Sequence, residues 1–196
     1  MKKQALSKIL IVLSMAAFSG AMVRAVSATT QDGPAAPVKK ARIERGAYLV
    51  TMMGCNDCHT PWKMGPQGPE PDMARALTGH PSDVVLSPPP VAAGPWIWHG
   101  AATNTAFAGP WGVSFTANLT PDKDTGLGSW TEEMFIATMR TARHQGKGRP
   151  ILPPMPVKMI GKANDEDLKS IFAYLQSLPP VKNRVPAPID PAEEKR

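Results

Sequence analysis

Cys55-Asn56-Asp57-Cys58-His59 concentrates the chemistry of this chain, and Cys55 and Cys58 are its only two cysteines. A C-x-x-C-H pentapeptide suits covalent haem attachment. Two thiols three residues apart can form thioethers to both vinyl groups of one porphyrin. The next residue then sets an imidazole beneath the iron as the proximal ligand. Other uses of the pair fit less well. A thioredoxin-like C-x-x-C lies between a strand and a helix, and no βαβ pattern surrounds these residues. A structural zinc site takes four ligands, and there is no second C-x-x-C. A lone Cys55–Cys58 disulfide would close a tiny, strained loop. The expected cofactor is one covalent haem c on Cys55 and Cys58, with His59 on its iron.

The sixth iron position needs a ligand from elsewhere, or stays vacant. The sharpest candidate is Met155, in Arg149-Pro150-Ile151-Leu152-Pro153-Pro154-Met155-Pro156. A thioether that fills a gap in a core is the usual reason for a methionine. That use does not explain prolines on both sides of a loop methionine, whereas a stiff ligand loop does. Met159, His144 and an empty position are the rivals. His80 and His99 lie in a loop-rich segment and read, like His144, as surface or hydrogen-bonded histidines. A ligating imidazole commonly donates its other N–H to a carbonyl, and Pro66 or Pro69 could supply one to His59.

The N-terminus predicts export. Lys2, Lys3 and Lys8 give a basic start, Ile9 to Val23 is an uncharged and mostly apolar run, and Val26-Ser27-Ala28 supplies small residues. This is the pattern of a secretory signal, with cleavage expected after Ala28, or after Ala25. The fifteen-residue run is shorter than the roughly 20 residues of a membrane-spanning helix; an uncleaved N-terminal anchor is the alternative to a periplasmic, exported protein. Residues 1–28 carry four of the 22 basic residues, so 18 remain against 16 acidic ones, a net charge of +2 for the processed chain. No Lys/Arg cluster is dense enough for a nucleic-acid footprint.

The elements that must position these residues divide the chain into a signal at 1–28, a flexible leader at 29–40, a haem domain at 41–180 and a Pro-rich tail at 181–196. Three helices are expected. The first, about Ala41 to Met53, leads into Cys55; its Gly46 weakens a helix unless another helix approaches closely there. The second runs from about Trp130 to Ala142, with Ser129 as N-cap and Glu132 closing a capping box. The third runs from about Asp165 to Leu178, with Asn164 as N-cap. Three acidic residues favour its dipole, and Leu168, Ile171, Phe172, Leu175 and Leu178 form a buried stripe. Between them, residues 61–110 hold ten of the 22 prolines and no sustained strand or helix period. With Trp62, Trp96, Trp98 and nearby Trp111, the segment reads as ordered loop over a core. The expected fold class is mainly α: a cytochrome c-like helical domain with a long Pro/Gly/Trp-rich loop insertion.

Gly46-Ala47-Tyr48-Leu49-Val50 followed by Gly54 to Pro61 resembles the opening of class I-type bacterial cytochromes c. Asn118-Leu119-Thr120-Pro121-Asp122, Thr125 to Thr131 and Arg149 to Pro156 are similar to haem domains of periplasmic cytochrome subunits that accompany alcohol or sugar dehydrogenases. The resemblance spans roughly Arg42 to Pro180. It implies a mostly helical haem fold, Cys55 and Cys58 as attachment points, His59 as proximal ligand and Met155 as distal ligand. It also makes Asn118, Trp130 and Arg149 candidate partners of the haem propionates. Those subunits carry three haem domains, whereas this chain has one C-x-x-C-H.

The function expected from a six-coordinate His/Met haem is single-electron transfer without catalysis, since no position is open for substrate. The expected partners are a periplasmic dehydrogenase as donor and a terminal oxidase or reductase as acceptor, met through a small transient patch. Two alternatives stand beside this carrier: a haem enzyme or gas/peroxide sensor with an open or labile sixth position, and an electron-transfer subunit of a membrane-associated dehydrogenase complex.

Overall fold

Helix α1 (Ala36–Met52) and helix α5 (Asp165–Ser177) form the frame on which the rest is hung. The computed structural model describes residues 36–87 and 95–191. The expected signal, the leader up to residue 35, the Pro88-Pro89-Pro90 run and the last five residues lie outside them. Residues 36–40, expected in the leader, are the first turns of α1.

The two helices cross at Gly46. A Cβ there would stand 1.9 Å from the carbonyl oxygen of Ser170. No larger residue fits, which explains a glycine in the middle of a helix despite its roughly 1 kcal/mol propensity cost. Arg45 reaches from α1 to Asp167 of α5 at 2.9 Å, a half-exposed pair that orients the crossing more than it stabilises it. Helix α5 starts as its sequence demands: the Asn164 side chain accepts the Asp167 N–H at 2.7 Å. Its stripe is the core, with Leu168 wholly buried beside Ile171, Phe172 and Leu175, packed with Leu49 and Val50 of α1.

The short helix α2 (Cys55–His59) follows α1 after Gly54, whose φ of 66° turns the chain. Helix α3 (Glu132–Thr141) begins two residues later than expected. Its N-cap is Thr131, whose hydroxyl accepts the Met134 N–H at 3.2 Å, so Ser129 is not the cap. Helix α4 (Val157–Ile160) is a single turn between the Met155 loop and α5.

The fold is not mainly α. The structure is 37% helical and 14% strand, a mixed α/β arrangement. All strands lie in or beside the segment expected to be loop. Strands β1 (Trp62–Gly65) and β2 (Gly68–Pro71) form an antiparallel ribbon around Pro66-Gln67. Its prolines escape the usual exclusion because a two-stranded ribbon consists of edges, where donors can be missing. Strands β3 (His99–Gly100), β4 (Ala106–Gly109) and β5 (Gly112–Phe115) form a three-stranded antiparallel sheet in that order. Each has four residues or fewer, too short to show a period of two in the sequence. Phe107 and Val113 are buried, so this sheet is part of the core.

Residues 179–191 run extended past Asn118, Thr120 and residues 78–82 and meet that sheet at Ile189. Ile189 exchanges two backbone hydrogen bonds with Val113 of β5, at 2.9 and 3.0 Å. Asn183 is 5% exposed; its amide donates to the carbonyls of Thr78 (2.7 Å) and His80 (2.9 Å), and its oxygen accepts the Ser82 N–H at 2.9 Å. Among the described residues, no helix is long and apolar enough to cross a membrane.

Candidate functional site

Helix α2 delivers Cys55, Cys58 and His59 to one side of a cavity of about 340 Å³, within the ~300–1,000 Å³ range of cofactor pockets. The Met155 loop closes another part of the same wall. Phe107, Leu127, Phe135, Ile171 and Leu175 supply an apolar lining from β4, α3, α5 and the loop before α3. Ser114 to Asn118 run along it from β5.

His59 is 7% exposed. Its Nδ1 lies 2.8 Å from the carbonyl oxygen of Ala117. A carbonyl can only accept, so Nδ1 carries the proton and Nε2 holds a free lone pair. Burial pushes the pKa of this imidazole down, partly offset by the bond to Ala117, and the neutral form results. The carbonyl expected from Pro66 or Pro69 comes instead from Ala117, far along the chain. The backbone is held as well: the Gly79 N–H donates to the His59 carbonyl at 2.8 Å, and the His80 N–H to that of Thr116 at 3.0 Å. Gly79 has φ of 76°, and a Cβ on it would meet the Thr116 oxygen at 2.4 Å. Only glycine lets these two segments run so close.

No disulfide joins Cys55 and Cys58. Burial pushes Cys55 up to about 11, with Asp57 and Cys58 adding to the effect, and burial also raises Cys58. A C-x-x-C oxidoreductase needs the opposite, a thiolate stabilised near neutral pH. The raised values run against a thioredoxin-like use of the pair.

Met155 is half-buried, lines the cavity and packs against the core. Met53 and Met139 also reach the wall, and neither sits on a proline-flanked loop. Met159 is 62% exposed and faces away from this cavity. His80 is fully buried with both ring nitrogens engaged, Nδ1 with the Thr105 hydroxyl at 2.9 Å and Nε2 with the Val84 carbonyl at 3.2 Å. It has no nitrogen to offer a metal. His99 lies on β3 opposite Ala108, away from the wall. His144 does line the cavity, edge-on to Trp130 with ring centroids 5.0 Å apart.

Asn118, Trp130 and Arg149 all line the cavity. The Asn118 carboxamide is buried and committed to the protein, donating to the Val181 carbonyl at 2.8 Å and accepting from the Thr120 hydroxyl at 2.8 Å and the Thr120 N–H at 3.0 Å. Arg149 is exposed, and among the described residues its guanidinium makes only a long 3.4 Å bond to the adjacent Pro150 carbonyl, so it has donors to offer. Sequence reasoning did not find Ala117, which acts through its backbone, nor Ser114 and Thr116.

A haem c fits this donor set. The cavity is apolar, two protonated thiols stand one helical turn apart, and a buried neutral imidazole keeps Nε2 free while a carbonyl holds Nδ1, the arrangement metal-bound histidines require.

Over 148 residues, 76% of this chain and 23% of the relative, the chain is 27% identical to the fructose dehydrogenase cytochrome subunit of Gluconobacter japonicus. Over 135 residues, 69% of this chain and 21% of the relative, it is 24% identical to the cytochrome c subunit of the quinone alcohol dehydrogenase of Gluconobacter oxydans. The chain is similar to cytochrome c subunits of dehydrogenases. A stretch of 82 residues, 39% of this chain and 18% of the relative, is 32% identical to the gluconate 2-dehydrogenase cytochrome c subunit of Pantoea cypripedii. This cytochrome-like chain thus spans less than a quarter of the length of each of these relatives. No family model matches it.

Proposed function

We propose that this chain is an electron-transfer component that serves a dehydrogenase, carrying one covalent haem c and performing no catalysis itself. What carries the reading is the convergence of Cys55, Cys58, His59 and Met155 on one apolar cavity, in a chain similar to dehydrogenase cytochrome c subunits. That similarity favours a subunit of a dehydrogenase assembly over a free carrier, and the basic, apolar, small-residue N-terminus supports export to the periplasmic side.

When bound, haem c supplies an iron that alternates between ferrous and ferric states. The chain's own residues set the conditions. Cys55 and Cys58 hold the group through thioethers, so it is not lost when the protein opens. His59 binds through Nε2, its ring plane fixed by the Ala117 carbonyl. Met155 would supply the second protein ligand, and a thioether there would favour the reduced state relative to a second imidazole. The apolar walls exclude water. Arg149 and Trp130, both on the cavity wall, would offer donors to a propionate.

Optical spectra of the exported protein test the site. A weak far-red sulfur-to-iron band in the ferric form and no effect of CO on the ferrous form are expected. Prompt CO binding without that band would replace this reading with an open haem site, an enzyme or sensor. Haem retained by a denatured Cys55→Ala/Cys58→Ala double variant would remove the covalent attachment. Native gel filtration of the source extract addresses the partner: co-elution with dehydrogenase activity is expected, and elution only at the size of a single chain would leave a free carrier.

A further inference from the structure

Strand β5 and the residues after it touch both sides of the cavity. At one end the Ser114 hydroxyl lies 2.6 Å from the carbonyl oxygen of Pro153, two residues before Met155. At the other the Ala117 carbonyl holds Nδ1 of His59 at 2.8 Å. Four consecutive residues therefore contact the loop bearing one axial ligand and the side chain of the other. We infer that Ser114 is a positioning residue for Met155, and that the inserted sheet is the device that holds both axial ligands in place. This rests on Met155 being the sixth ligand.

The chemistry of the loop makes such a tether necessary. Pro150, Pro153, Pro154 and Pro156 have no N–H to donate. Of the other loop residues, Ile151 donates its N–H to the Ala142 carbonyl at 2.9 Å, and the Met155 carbonyl accepts the Val157 N–H at 2.8 Å. The Pro153 carbonyl has no backbone donor among the described residues and needs one from outside the loop. Among the described residues, Ser114 makes the only side-chain hydrogen bond to residues 151–155. A serine hydroxyl has one proton. Its second acceptor, the Phe107 carbonyl, lies at 3.3 Å, so the 2.6 Å contact to Pro153 takes that proton. Ser114 is 8% exposed, which keeps water from competing.

The tether has a firm anchor. Strand β5 is bonded on one edge to β4, with Ser114 opposite Phe107. On its other edge Val113 is bonded twice to Ile189. A displacement of the Pro153 carbonyl therefore works against a strand fixed on both sides. Without the hydroxyl, the Pro153 carbonyl loses its partner and the Met155 loop gains freedom to leave the iron.

The test uses the holoprotein and imidazole as a competing ligand for the sixth position, read from the far-red band and the Soret shift. Removing one buried hydrogen bond predicts a rise in imidazole affinity of about 2- to 13-fold in Ser114→Ala. The far-red band should also be lost at a lower temperature. Covalent haem content should not change, because α2 is untouched. Ser114→Thr and Ser114→Val form a second pair of equal shape that differs only in the hydroxyl, and Val should behave as Ala does while Thr stays near wild type. This pair decides the matter if the alanine variant does not accumulate. Ala matching wild type, or Val matching Thr, overturns the inference. A wild type with no far-red band, whose imidazole affinity Met155→Ala leaves unchanged, overturns the ligand assignment and the inference with it. A far-red band in the wild type with no hydroxyl effect overturns the inference alone.

Discussion

At the scale of single residues, the chemistry of this chain turns on which lone pairs are free. His59 and His80 are both buried imidazoles, and only their hydrogen bonds separate them. His80 spends both nitrogens within the protein. His59 spends one and keeps one facing the cavity. The methionines divide in a similar way: three reach the wall, and of these only Met155 has prolines on both sides. Met155→Ala should leave haem attached, open the sixth position to CO and lower the reduction potential, because a thioether favours ferrous iron. An unchanged spectrum and potential in that variant would exclude Met155 as a ligand.

At the scale of elements, the crossing of α1 and α5 sets where α2 begins, and hence where the thiols and imidazole point. Gly46 is the contact on which it depends. Gly46→Val would push the Ser170 carbonyl, 1.9 Å from the new Cβ, out of its place. Overpacking of this kind costs about 1–3 kcal/mol, and here it falls on backbone that cannot turn aside. A drop in the denaturant midpoint of the holoprotein is expected, and a wild-type midpoint would mean the helices do not meet there. The sheets matter for a different reason. Strand β5 and the residues just after it supply the cavity with a wall and with polar contacts to the Met155 loop and to His59, work a wholly helical domain would have to do otherwise.

At the scale of the whole molecule, the extended residues 179–191 hold the inserted segment against the helices. Asn183 is their clasp. Asn183→Ala would leave the Thr78 and His80 carbonyls and the Ser82 N–H without partners in a buried place. A loss of about 1–3 kcal/mol is expected, seen in urea unfolding as a lower midpoint with an unchanged slope. His80 gives the same region a pH dependence. Burial, its largest cause, depresses its pKa in the folded state. The unfolded chain, with an ordinary pKa near ~6.5, then binds more protons between the two values, so stability falls as pH drops below about 6.5. The stability difference between wild type and His80→Gln should shrink on going from pH 7.5 to pH 5, measured by thermal unfolding of both. A constant difference would mean that His80 does not titrate with unfolding.

What the sequence determined by itself is local. Asn164 caps α5 because a side-chain oxygen three residues before an N–H needs nothing distant. The stripe from Leu168 to Leu175 is buried because a 3.6-residue period can face only one way. Gly46 announces a close approach because nothing else recommends glycine in a helix. The C-x-x-C-H spacing is likewise complete within five residues, and its chemistry can be read before any fold is known. The tertiary structure decided what depends on partners far along the chain. Strands of two to four residues carry no periodic signal, and prolines in β2 argue against a strand until its edge position is known. That is why a mixed α/β fold read as mainly α. The carbonyl that orients His59 belongs to Ala117, on a segment remote in the sequence, and a backbone oxygen has no letter there. The Ser114 hydroxyl finds the distant Pro153 for the same reason: a carbonyl with no backbone donor nearby takes its partner from whatever surface the fold brings within reach.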